Sequence, residues 1–482
     1  MIQSNTPLVN ALKKYNTKNK IAFHIPAHRQ GKNIPDAIAG LKGGIFKYDL
    51  TEVYGMDDLH NPQGVIADAQ RLAAKAYGSL QSYFLVNGSS AGIKAMILAT
   101  TRENDILIVP RNAHRSVLAA LILSGAHPAY MYPEIIDGFG IAGFVLSSKA
   151  EECLENHQRV SAMFMIHPTY YGITSSLAEF SKIAHDNGIP MIVDEAHGGH
   201  FYFHDAMPEG SLNLGADLVV QSMHKTSGAL TQASILHLNS GRVDTDRLKW
   251  CLQMLQSTSP SYLLMASLDA ARSQMALKGE GLLEKSIKTA RYLREKLSSV
   301  EDIDVLSEHH LKNYDILSLD ETRLLIKVSG LGLTGYQVYE LLAKEYDIQV
   351  EMADHHNILV LLGIGASNED ADALYTALID IKGRYGGNTR TIKGDLEMPR
   401  AMVAISPRKA FMSRSKAVSL IDSVGEISAC SISVYPPGVP AVCPGEVITS
   451  DIVEYLIEVR ERQIGVQCSS DSTLRTIEVL AN

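Results

Sequence analysis

Two stretches of the chain, PMIVDEAHGGH (190–200) and DLVVQSMHKTSGAL (217–230), each begin as an apolar run and end in polar, reactive residues. Met191–Val193 and Leu218–Val220 are short and rich in β-branched side chains, the pattern of strands buried on both faces. The same alternation extends outward through SYFLVN (82–87), DILIVP (105–110), HPAYMYP (127–133), SAMFMIHP (161–168) and ASILHLN (233–239). Between these runs lie helical stretches such as SAGIKAMILATT, HRSVLAALILSG and SLAEFSKIAHDNG, the last closing on Asn-Gly as a helix C-cap does. Strand, helix and strand in this rhythm predict an α/β fold with a mostly parallel seven-stranded sheet and helices on both faces. Ligands bind such sheets at the carboxyl ends of strands, so chemistry is expected just after each run.

Asp194 closes one run, and Lys225 follows the next one 31 residues later. A lysine set among small hydroxyl residues and Gly228, right after an apolar strand, is placed for a desolvated amine. Burial lowers the pKa of a lysine and makes it a nucleophile toward carbonyl groups. In LVNGSSAGIKAM (85–96) a strand runs through Asn-Gly-Ser-Ser into a helix, where free N–H groups and the Ser89 and Ser90 hydroxyls can hold a phosphate. His114, in PRNAHRSV (110–117), follows a further strand end. The bland readings are an Asp that caps the next helix, a Ser that caps a helix and a surface or core histidine.

Composition narrows the class. The chain has 482 residues, 46 % of them apolar and 20 % charged, with 44 Lys+Arg against 53 Asp+Glu. A net charge of −9 and the absence of basic runs argue against a general nucleic-acid binder, and a single tryptophan against a stacking platform for single strands. Five widely spaced cysteines without a C-x-x-C pair fit reduced thiols. The polar N-terminus has no signal-peptide pattern, and no apolar run has membrane-spanning length. The expectation is a soluble, cytoplasmic protein without nucleic-acid or membrane partners.

The phosphate loop, R-N-x-H-x-S, P-T-Y-Y-G, D-E-A-H, S-x-H-K and S-T-S-P-S-Y follow one another in an order that resembles one family. It is that of the pyridoxal-phosphate-dependent ornithine/lysine/arginine decarboxylases, built on the fold-type I aspartate aminotransferase architecture. The resemblance extends to DDLHNPQGVI (57–66), SPRKAF (406–411) and YPPGVPAVCPGE (435–446), from about residue 20 to the end. It implies that Lys225 is the covalent anchor of the cofactor and Asp194 the partner of its ring nitrogen, with His114 stacked on the ring. It makes Ser89, Ser90, Ala91 and Ser222 part of the phosphate cup, puts His224 beside the lysine, and has Thr258 reach the phosphate of a neighbouring subunit. Glu446 matches an active-site glutamate on the substrate side. Two positions depart from the family: His197 stands where larger members carry Trp, and His167 precedes P-T-Y-Y-G where Asn is commoner. Without the long N-terminal wing of the inducible enzymes, the chain resembles the compact bacterial arginine decarboxylases. The implied reaction is arginine to agmatine and CO₂ in polyamine biosynthesis by a homodimer or larger homo-oligomer; lysine, ornithine and aminotransfer are the alternatives.

The expected organisation is an N-terminal arm (1–60), a large cofactor domain (61–300), a small α/β domain (301–394) and a C-terminal domain (395–482). Two patterns compete with this reading. VSGLGLTGYQVYELL (328–342) carries G-x-G-x-x-G at Gly330, Gly332 and Gly335, with Glu351 beyond, as a dinucleotide site or nucleotide sensor would. A Gly-rich turn with Thr334 as helix N-cap explains it equally, and that reading is preferred. His197, His200 and His204, with His24 and His28, could supply metal ligands, but no H-E-x-x-H spacing accompanies them. No metal is expected.

Overall fold

The seven apolar runs form seven strands: β1 (Gln81–Leu85), β2 (Ile106–Pro110), β3 (His127–Met131), β4 (Val160–Ile166), β5 (Met191–Asp194), β6 (Leu218–Gln221) and β7 (Ser234–Leu238). All belong to one sheet in the spatial order β1-β7-β6-β5-β4-β2-β3. Strand β2 pairs parallel with β3 and β4, and β5 pairs parallel with β6. Strand β7 runs antiparallel to both of its neighbours. Every residue of β5, β6 and β7 is buried, which is why these strands read as continuous apolar runs instead of alternating. The computed structural model describes residues 2–17, 24, 26–32, 44–311, 318–386, 398–434, 438–468 and 470–481. Among the described residues no helix is long and apolar enough to cross a membrane.

The chain divides into two compact units, Met1–Ala99 with Ile192–Gly281 and Thr100–Met191 with Leu282–Asn482. Each unit joins two separate stretches of sequence; the expected boundary at 394 lies outside the described residues. In the first unit the N-terminal helix Pro7–Asn16 is pinned to the start of the long helix Tyr262–Ser298. The Leu8 N–H donates to Asp269 Oδ2 (3.1 Å), and the fully buried Arg272 pairs with Asp269 while donating to the carbonyls of Gln3 (2.5 Å) and Asn5 (2.7 Å). That long helix covers the helix-rich stretch foreseen at 268–297.

The second unit carries a four-stranded, wholly antiparallel sheet built from 304–305, 323–327, 357–361 and 352–353. A dinucleotide fingerprint requires parallel strands on either side of its helix, and here the flanking strands Arg323–Lys327 and Asn357–Leu361 are antiparallel. The glycines serve close packing instead. A Cβ at Gly330 would lie 2.4 Å from the Asp302 carbonyl oxygen, and one at Gly335 2.2 Å from that of Asn357. Thr334 caps the helix Gly335–Glu345 in a capping box with Gln337, and Glu351 accepts a hydrogen bond from Tyr170. In the C-terminal part, strands Ser415–Ser419 and Thr476–Leu480 pair, and Ile432–Val434 lies between Val439–Val442 and Val466–Cys468.

Candidate active site

The first unit brings together the residues expected to form a phosphate cup. Strand β1 passes through Val86 and Asn87 into the helix Gly88–Thr100, whose opening turn holds Ser89, Ser90 and Ala91. Gly88 begins it at φ +73°, a left-handed turn that glycine adopts without strain. A Cβ on Gly92 would meet Val220 Cγ2 at 2.6 Å and Leu85 Cδ1 at 2.7 Å, so the helix can approach β6 this closely only with glycine there. The result is visible across the sheet: Ser222 Oγ, just past β6, donates to Ser89 Oγ at 2.9 Å. First-turn N–H groups and the helix dipole add what an anion would need at this position.

The loop carrying Thr258 hangs on the same strand end. Val86 N–H donates to Gln256 Oε1 (2.9 Å), Ser257 N–H to Asn87 Oδ1 (3.0 Å), and His60 Nε2 lies 2.9 Å from the Ser257 carbonyl. Thr258, the next residue, is exposed. Neither Gln256 nor Asn87 was singled out in the sequence.

Asp194 ends β5 directly beside β6, with Val220 as its cross-strand partner. It is 7 % exposed, and its Oδ1 accepts the Ala196 N–H at 3.0 Å. Beyond β6 the short helical turn Met223–Thr226 presents Lys225, whose Nζ lies 2.9 Å from His197 Nε2. An ammonium only donates, so His197 accepts at Nε2 and keeps its proton on Nδ1. The adjacent His224 is half-buried with Nδ1 3.2 Å from the Ala233 carbonyl oxygen; burial, and to a lesser degree the Lys225 charge, push its pKa down. One expectation needs correcting: Lys225 is exposed in the chain, not enclosed. The turn Met223–Thr226 buries Met223 and Thr226 and leaves Lys225 exposed between them.

His114 and Glu446 belong to the second unit. His114 is the N-cap of the helix Arg115–Ser124, its Nδ1 taken up by Ser116 N–H (3.3 Å) and Ser116 Oγ (2.8 Å). Glu446, expected on the substrate side, is almost fully buried and bidentate on Arg111 at 2.5 and 3.0 Å. Its Oε2 also accepts the Cys443 N–H (2.8 Å), and the Arg111 guanidinium sits 4.5 Å from the Tyr130 ring centroid. Burial alone would lower the Arg111 pKa, but Glu446 overrides it and holds the guanidinium well above its usual range. The carboxylate engages Arg111 and the Cys443 N–H, a structural role that stands beside the substrate contact expected of it.

His167 is buried at 2 % exposure. The histidine triplet does not converge, since His197 faces Lys225 and His204 Nδ1 accepts the Ala206 N–H (3.1 Å). Among the described residues no group of three or more His, Cys, Asp or Glu is arranged to hold a metal ion. A buried polar chain formed by Ser82, His237, Gln221 and Glu195 also went unread in the sequence. Its trace there is a polar residue inside each of three otherwise apolar runs.

Residues 6–370 match the family described as Orn/Lys/Arg decarboxylase, major domain, and residues 396–464 its C-terminal domain. The chain is 38 % identical over 483 residues to the arginine decarboxylase of Bacillus subtilis, covering 100 % of this chain and 99 % of that protein. Among solved structures, the lysine decarboxylase LdcF of Francisella novicida superposes with a TM-score of 0.84 at 21 % identity, over 99 % of this chain and 81 % of that one. The alanine–glyoxylate aminotransferase of Nostoc shares the fold at a TM-score of 0.54 and 20 % identity, over 66 % and 86 % of the two chains. With two family domains matched in order and a relative aligned end to end, the chain belongs to the Orn/Lys/Arg decarboxylase family.

Proposed function

We propose that this protein is a pyridoxal-phosphate-dependent decarboxylase that converts L-arginine to agmatine and CO₂ in the cytoplasm, supplying a precursor of polyamines. The observation that carries the reading is that one unit holds Ser89 and Ser222 with their hydroxyls 2.9 Å apart at a helix start, a buried strand-end carboxylate (Asp194) and a lysine (Lys225) just past the neighbouring strand. These donors fit the cofactor. The Ser89 and Ser222 hydroxyls and the first-turn amides of Gly88–Thr100 bind a phosphate dianion. Asp194 would hold a proton on the pyridine nitrogen, and Lys225 Nζ would be the covalent attachment point. When bound, pyridoxal phosphate supplies an electron sink for the pair left behind as CO₂ departs.

The chain's own residues then manage protons and water. His197 Nε2, at 2.9 Å, accepts a proton from Lys225 Nζ and so leaves a neutral amine for attachment. His224, whose basicity is reduced by burial, stays neutral beside it. Arginine is the substrate favoured by the full-length relative named arginine decarboxylase at 38 % identity, against 21 % for the lysine decarboxylase structure. The assembly in this reading is a homodimer in which Thr258 of each chain serves the other's phosphate. The exposed position of Thr258 beside the phosphate cup supports it. A panel of arginine, lysine and ornithine, read by amine product with no keto acid added, tests the reading. Agmatine formation supports it; cadaverine or putrescine as the main product overturns the substrate, and amine transfer without CO₂ overturns the reaction.

A further inference from the structure

Ser82 of β1, His237 of β7, Gln221 of β6 and Glu195 just after β5 lie on four neighbouring strands, in spatial order. None is more than 4 % exposed. Ser82 Oγ donates to His237 Nδ1 at 2.8 Å, which leaves the ring proton on Nε2. His237 Nε2–H donates to Gln221 Oε1 (3.2 Å), and Gln221 Nε2 donates to Glu195 Oε2 (2.6 Å). Glu195 ends the series as acceptor of three more donors: Ser211 N–H and Oγ–H, each at 2.6 Å, and Tyr202 O–H at 2.8 Å. Burial lowers the His237 pKa to about 3, so the ring is neutral, as this donor order requires. Burial raises that of Glu195 to about 7, opposed first by the Ser211 hydroxyl and amide and then by Gln221 and Tyr202.

We propose that this hydrogen-bonded rail positions the two strand ends of the active site, with Glu195 as its terminal acceptor and a positioning residue for the reaction. The inference rests on the reading of Asp194, Ser222 and Lys225 as the cofactor site. Two of these three residues are one position from a rail residue: Asp194 precedes Glu195, and Ser222 follows Gln221. Ser82 and His237 are cross-strand partners, and Gln221 lies two residues from Val219, the partner of His237 on β6, so these three side chains share one face of the sheet. Glu195 ties the two strands twice, because its own N–H also donates to the Val220 carbonyl at 2.9 Å. Apolar side chains would fill these buried positions without any desolvation cost, so stability alone does not call for a polar chain. What the chain adds is a fixed offset between Asp194 and Ser222, and catalytic constellations need tolerances of about 0.5 Å.

The test uses the cofactor-loaded protein and four variants: Glu195→Gln, the reciprocal Glu195→Gln with Gln221→Glu, His237→Leu and His237→Gln. Three quantities are read: kcat and KM for CO₂ release, the pH at which the absorbance of the bound cofactor changes, and the thermal midpoint. Glu195→Gln sets two amide donors against each other; kcat should fall about ten- to a hundredfold with little change in KM. The absorbance transition should move by roughly half a pH unit or more, because the offset between Asp194 and Ser222 changes. The reciprocal variant restores one carboxylate to the chain and should recover most of both changes. His237→Gln, which keeps a donor and an acceptor, should stay near wild type while His237→Leu follows Glu195→Gln. A lowered thermal midpoint with kcat and the absorbance transition unchanged overturns the inference, as a merely structural network would give that result. If Glu195→Gln does not fold, equal kcat in the two His237 variants overturns it. A wild-type protein that binds pyridoxal phosphate but releases no CO₂ overturns the parent reading and the inference with it. Wild-type turnover with unaffected variants overturns the inference alone.

Discussion

Replacing Glu446 by alanine separates its two possible roles. In the folded chain its carboxylate faces Arg111, and the two side chains are 2 % and 0 % exposed. Removing one partner of a buried pair leaves an uncompensated charge at about 3–5 kcal/mol. The Cys443 N–H loses its acceptor as well, about 1–3 kcal/mol taken alone. The two losses share one carboxylate and do not add fully, so roughly 4 kcal/mol is expected, a large share of a typical 5–15 kcal/mol stability. Urea unfolding followed by far-ultraviolet circular dichroism, at fixed cofactor concentration, measures it. A companion variant, Arg111→Met with Glu446→Leu, fills the site without charge and should regain most of the stability. Turnover that returns with stability identifies the pair as a clamp; stability without turnover gives Glu446 a contact with substrate. A Glu446→Ala protein destabilised by less than about 1 kcal/mol would refute the reasoning from burial.

Asp194→Asn should still bind cofactor yet lose about 10²- to 10³-fold in turnover, as when one preorganised electrostatic partner is removed; a loss of a few-fold at full loading makes Asp194 a structural cap. For His237, the native pKa near 3 lies below the ordinary 6.5, so between those values the unfolded chain binds the extra proton. Stability from this group is therefore complete above pH 6.5 and falls by roughly 1.4 kcal/mol per unit as pH drops toward 3. The stability difference between wild type and His237→Gln should carry that slope, and a difference flat in pH contradicts a buried neutral ring. Mixing Lys225→Ala and Thr258→Glu chains should restore about a quarter of wild-type sites, since half the dimers are mixed and each holds one intact site. Verified subunit exchange with no returning activity shows that each site is built within one chain.

The sheet was legible because strands buried on both faces leave no alternation to misread: runs such as DLVVQSM can hardly be anything else. Asp194 could be placed at a strand end and Lys225 just after one from the apolar runs alone, which is where the structure has them; Ser222 entered only through the family resemblance. What escaped were partners distant in sequence. Arg111 and Glu446 are 335 residues apart, and no local pattern tells a glutamate aimed at a ligand from one aimed at an arginine. The rail was equally hidden, because a lone Gln or His in an apolar strand acquires meaning only when its neighbours across the sheet are known. Exposure of Lys225 was misjudged for a related reason: small flanking residues describe the turn that carries the amine, not the space in front of it.

The most direct test of the account is stoichiometry with the purified protein. Supplied with pyridoxal phosphate and L-arginine, it should release CO₂ and agmatine in equal amounts, and Lys225→Ala should lower that rate by several orders of magnitude. Equal rates in wild type and Lys225→Ala, or consumption of arginine without CO₂, would contradict the assignment of this strand-end lysine to a decarboxylase active site.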